Sequence, residues 1–257
     1  MKLEDVFAKT RARNEIALIP YVTAGYPSVD QSLDLLNAAA DAGADAIEIG
    51  LPFSDPVADG PTIQFASHEA LQAGFRTRPF LASLARRRPS CPLIVMTYLN
   101  PLLALGPNAF SELAAAGVSA VVVPDLPEEE AGVVIADAAR AGIDVVLLVA
   151  PTSSDERLHR IGAASRGFVY VVGVVGTTGA RRDADPALPR ILQRVRAQTS
   201  LPLVAGFGLS DPSHVAAITH HADGAIVGSR LVDAIRKGED FAALIHSFKQ
   251  ATRRHGC

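Results

Sequence analysis

Apolar residues in this chain fall in short, nearly unbroken runs, separated by segments of helical period. Runs rich in Val, Ile, Leu and Ala begin near residues 17, 45, 93, 118, 143, 168, 201 and 223. Their continuity, in place of apolar/polar alternation, is the pattern of parallel strands covered on both faces. Successive starts are 22 to 48 residues apart, room for a crossover helix and two turns. Leu3, Val6 and Phe7 recur at helical spacing, which predicts a leading helix over residues 3–13. Ser28 is placed to cap a helix through Ala42, with Gly43 as its stop. Further helical segments are predicted over 63–73 and 79–88. Eight βα units without a break in composition predict an α/β fold, a single (β/α)8 TIM barrel over residues 1–257. It would carry an extra N-terminal helix and extended loops after strands 2 and 6.

The second run, Ala46-Ile47-Glu48-Ile49-Gly50-Leu51, carries a carboxylate at its centre. With side chains alternating in a strand, Glu48 shares a face with Ala46 and Gly50. An unpaired carboxyl enclosed there holds its proton, and a mid-strand glutamate has few structural explanations, so chemistry is the favoured reading. Pro52, Pro56 and Pro61 stiffen the following loop, which delivers Asp59 eleven residues after Glu48. Asp55 and Asp59 are also explained as turn or capping residues, so spacing leaves Asp59 only modestly favoured for chemistry.

Composition removes several alternatives. A net charge of −3 and scattered basic residues give no nucleic-acid or membrane footprint. Arg86-Arg87-Arg88 reads as the solvated end of a helix before Pro89. Two cysteines, Cys91 and Cys257, form neither a disulfide framework nor a metal-ligand pattern, and no metal is expected. The N-terminal stretch lacks the apolar core of a signal peptide, and the expected location is cytoplasmic.

Two glycine loops point to an anion. Phe207-Gly208-Leu209-Ser210 follows the seventh run, and Gly228-Ser229 follows the eighth and opens a helix. The loops after strands seven and eight are a recurrent phosphate seat in such barrels, where backbone N–H groups approach the ligand. Arg230 follows directly. It is either a ligand or a helix-surface residue, and it is not counted in the site. Tyr98 and Tyr170 lie at strand ends, as pocket or core residues with equal weight.

The motifs resemble those of the tryptophan synthase α subunit family: PYVTAGYPS at 20–28, DAIEIGLPFSDPVADGPTIQ at 45–64, MTYLNP at 96–101, VVPDLPEEE at 122–130, TTGAR at 177–181, GFGLS at 206–210 and VGS at 227–229. The resemblance implies a carbon–carbon lyase of L-tryptophan biosynthesis that cleaves indole-3-glycerol phosphate to indole and glyceraldehyde 3-phosphate. It implies Glu48 as acid/base and Asp59 as the partner of the indole N–H. Tyr21, Tyr98, Tyr170 and Thr178 would line the substrate site, and Gly179, Gly208, Gly228 and Ser229 would hold the phosphate. It implies no cofactor in this chain and a β subunit partner carrying pyridoxal phosphate, in an α2β2 heterotetramer. Two alternatives remain open: a stand-alone lyase releasing free indole, and a weakly catalytic subunit that activates a β partner. The sequence departs from the family at 173–177, where Gly173-Val-Val-Gly-Thr177 lacks the usual loop residues, and at Glu69, where arginine is usual.

Overall fold

A computed structural model describes residues 2–173 and 187–254. Nine parallel strands run in the order β5-β4-β3-β2-β1-β9-β8-β7-β6. They are β1 (Ala17–Thr23), β2 (Ile47–Gly50), β3 (Leu93–Met96), β4 (Val118–Val122), β5 (Asp144–Val146), β6 (Leu148–Val149), β7 (Val169–Val172), β8 (Leu203–Gly206) and β9 (Gly224–Val227). The two ends of this order, β5 and β6, are consecutive in the chain and separated by Leu147. The sheet is therefore a nearly closed barrel, with the predicted fifth strand divided in two. The division has a local cause. Leu147 gives its N–H to the Ser165 hydroxyl (3.0 Å), outside the strand ladder. Its carbonyl still accepts from Tyr170 N, so the ring continues into β7.

The helices surround this ring. Helix α1 (Leu3–Ala12) buries Leu3, Val6, Phe7 and Thr10. Phe7 meets Phe168, just ahead of β7, edge to face at 6.0 Å. In α2 (Val29–Asp41) the Ser28 hydroxyl accepts from Gln31 N, the predicted cap. The two segments after β2 are α3 (Pro61–Gln72) and α4 (Thr77–Arg86), each starting two residues before its predicted position. In α3, Pro61 occupies the first turn, where its missing N–H costs nothing. The arginine triplet is only partly solvated: Arg87 pairs with Asp30 and Asp34, and Arg88 bonds the Ala115 carbonyl.

At the start of β2, Asp45 accepts from Leu18 N (2.9 Å), Arg13 (2.6 Å) and Lys249 (2.7 Å). Those bonds tie β2 to β1 at the base of the barrel and set the register that places Tyr21 opposite Glu48.

Candidate active site

Glu48 projects from the centre of β2 and is 1 % exposed. Its Oε1 has no hydrogen-bond partner among the described residues. The face it shares with Gly50 is crowded, contrary to what small neighbours suggest. A Cβ on Gly50 would lie 1.9 Å from the Tyr21 hydroxyl, so glycine there makes room for the ring of β1. Across the barrel Gly206 does the same for Tyr170, whose hydroxyl would meet a Cβ at 2.2 Å. The two tyrosines so accommodated line one cavity with the carboxyl.

Burial is the first cause of the rise in the Glu48 pKa from 4.5 to about 8, and the negative charge of Asp59 is the second. Asp59 is 5 % exposed and leaves Oδ1 unpartnered among the described residues. Burial raises it to about 6, against the opposing effect of a hydrogen bond from Tyr98. Its backbone is held from three sides. Asp59 N bonds the Pro56 carbonyl (3.0 Å), Gln64 bonds the Asp59 carbonyl (2.8 Å), and Ala58 N bonds the Tyr98 hydroxyl (2.9 Å).

A cavity of about 260 Å³ joins these groups to the glycine loops. Of the residues singled out in the sequence, Tyr21, Glu48, Asp59, Tyr170, Gly208, Gly228 and Ser229 line it together. Tyr98 is set behind Asp59, with its hydroxyl on the loop and its ring against Phe53 at 5.2 Å. Thr178 and Gly179 lie outside the described residues. The wall also holds Thr62, Ile63, Met96, Phe207, Leu209, Ile226, Arg230 and Asp233. Most are apolar, so the wall suits a flat hydrophobic ring.

The glycine-loop part of the wall is built from backbone. Phe207 adopts a left-handed conformation at φ 69°, which a non-glycine residue rarely takes, and Gly208 follows at φ 79°. This double turn is held by buried His214, whose Nδ1 lies 3.3 Å from the Gly208 carbonyl and accepts from Ser210 N at 3.4 Å. It lays the Phe207 ring against Tyr170 at 5.9 Å. No sequence signal marks Phe207, because only its backbone angle is unusual. Gly228 caps α11 (Ser229–Lys237), whose first N–H groups have no acceptor within the helix. A Cβ on Gly228 would meet nothing closer than 3.6 Å, so neither crowding nor a positive φ demands glycine in the protein alone. The vacant Cβ position is space on the wall of the cavity.

The family model described as tryptophan synthase alpha chain matches residues 7–255. The chain belongs to the tryptophan synthase alpha chain family. A tryptophan synthase alpha chain of Roseiflexus castenholzii is 46 % identical over 240 residues, 92 % of either chain. That of Synechococcus elongatus is 42 % identical over 258 residues, covering 98 % of this chain and 97 % of its own. Among solved structures, a chain of Mycobacterium tuberculosis tryptophan synthase superposes with a TM-score of 0.91 at 40 % identity, with 98 % of both chains covered. Tryptophan synthase alpha chains are TIM barrels and carbon–carbon lyases of tryptophan biosynthesis, cleaving indole-3-glycerol phosphate, and they act with a β partner.

Proposed function

We propose that Glu48 is the acid/base and Asp59 the charge stabiliser of the retro-aldol cleavage. The observation that carries this reading is the buried, unpaired carboxyl of Glu48 beside Asp59 in one cavity. With its pKa near 8, Glu48 is protonated at neutral pH and can give a proton to C3 of the indole. Protonation there makes the ring cationic at the N–H, and the Asp59 carboxylate accepts that hydrogen bond and offsets the charge. The Glu48 carboxylate so formed takes the proton of the hydroxyl on the carbon attached to C3. The bond between that carbon and C3 then breaks. Its electrons return to the ring as indole, the alkoxide carbon becomes the aldehyde of glyceraldehyde 3-phosphate, and Glu48 is left protonated for the next turnover.

Tyr21 and Tyr170 fix the ring and exclude water, and Tyr98 acts through Asp59. Gly208, Gly228 and Ser229 seat the phosphate at the head of α11. Thr178 and Gly179 are assigned to the substrate and phosphate by the family resemblance alone. The partner is a β subunit in an α2β2 assembly, with pyridoxal phosphate held by that subunit, and the location is cytoplasmic. No helix among the described residues is long and apolar enough to cross a membrane. Indole release from indole-3-glycerol phosphate, assayed on the purified chain with and without a tryptophan synthase β subunit, tests this assignment. Turnover that rises on addition of the β subunit is expected, and no release in either condition contradicts it.

A further inference from the structure

Among the described residues, one basic side chain, Arg230, lines the cavity. It follows Ser229 at the head of α11, and its guanidinium is shared between two environments. Nη2 is bound to Glu239 at 2.5 Å. Nη1 is buried and has no hydrogen-bond partner among the described residues. Asp211, the cap of the helix after the Phe207–Ser210 loop, is held below the usual carboxylate range first by hydrogen bonds from Ser213, and Asp233, one turn along α11, first by Lys237, with Arg230 a lesser contributor to both. Arg230 shares the cavity wall with Gly208 and Ser210 of one glycine loop and with Gly228 and Ser229 of the other.

A buried N–H without an acceptor costs free energy unless a ligand supplies one. The cavity already contains the carboxylates of Asp59 and Asp233, so a phosphate dianion needs a cation nearby as well as backbone N–H groups. An arginine fork can hold a carboxylate with one nitrogen and give another to a phosphate oxygen. Resting on the reading of these loops as a phosphate seat, we propose that Arg230 is a phosphate-binding side chain. Glu239 holds one arm of the fork, and the free Nη1 donates to the substrate phosphate. The site would then prefer the phosphorylated glycerol side chain over the unphosphorylated one by a charged contact added to the glycine cradle.

The test is calorimetric binding of glycerol 3-phosphate to the full chain, with KM and kcat for indole-3-glycerol phosphate measured alongside. Arg230→Ala should weaken glycerol 3-phosphate roughly tenfold or more and raise KM by more than it lowers kcat. Arg230→Lys should recover part of the affinity. Glu239→Gln, which breaks the same ion pair but keeps the guanidinium, should bind within about twofold of wild type. Wild-type binding with an equal affinity in Arg230→Ala overturns the Arg230 assignment alone. Equal weakening in Arg230→Ala and Glu239→Gln makes the pair structural and also overturns it. Absence of glycerol 3-phosphate binding by wild type overturns the phosphate seat itself, and the proposal with it.

Discussion

Replacing Glu48 by Gln should remove turnover and change how stability depends on pH. In the folded protein the carboxyl titrates near 8, against 4.5 ordinarily, because ionisation would place an unpaired charge in the barrel. The folded state therefore keeps a proton that the unfolded chain has released. For this raised carboxyl the destabilisation is absent below about pH 4.5, grows as pH rises, and is complete above about pH 8. At ~1.4 kcal/mol per pKa unit, the wild-type protein should lose about 3 kcal/mol relative to the Gln variant between pH 5 and pH 8. Burying the amide has its own cost, but that cost does not vary with pH and cancels from the slope. Urea unfolding of both proteins at pH 5, 6.5 and 8 measures the difference. Indole release, assayed in parallel, should fall by about 100- to 10,000-fold. A stability difference independent of pH would mean that Glu48 is not held protonated by burial, and would refute burial as the origin of its raised pKa.

Two further substitutions test the supports of the site. Tyr98→Phe removes the hydrogen bond that opposes the rise of Asp59, whose other ionisable neighbours are Glu48, Tyr21 and Tyr170. Asp59 should then titrate higher, with kcat/KM falling roughly tenfold at pH 5.5 and recovering towards pH 8. An unshifted acid limb would mean that Tyr98 serves packing alone. Gly50→Ala places a methyl where the Tyr21 hydroxyl lies and should cost about 1–3 kcal/mol in urea unfolding, whereas a loss under ~0.5 kcal/mol would show that Tyr21 moves freely.

Much of this architecture is legible because buried parallel strands leave continuous apolar runs, and eight such runs locate the barrel. The split between β5 and β6 is not legible. The run through Val145, Val146, Leu147 and Leu148 is unbroken, and its interruption comes from the Ser165 hydroxyl, eighteen residues along the chain. Glu48 stands out as a charge inside an apolar run, but the cavity it lines is shared with Tyr21 and Tyr170, which come from other strands. Periodicity carries no information about such contacts. Without the family motif Asp59 is only modestly favoured over a turn residue, and the bond from Tyr98 that restrains its pKa joins two loops. Burial raises the Tyr26 hydroxyl; Arg236, whose guanidinium lies 5.6 Å from the Phe65 ring, opposes that rise, and Glu69 and Asp233 add to it.

In the proposed chemistry two buried carboxyls work in opposite protonation states, Glu48 as an acid and Asp59 as an anion. The pH dependence of kcat/KM for indole release by the wild-type protein reads both at once. A bell is expected, with an acid limb near 6 from Asp59 and a basic limb near 8 from Glu48. A rate that stays level from pH 5 to pH 9 would contradict the division of roles.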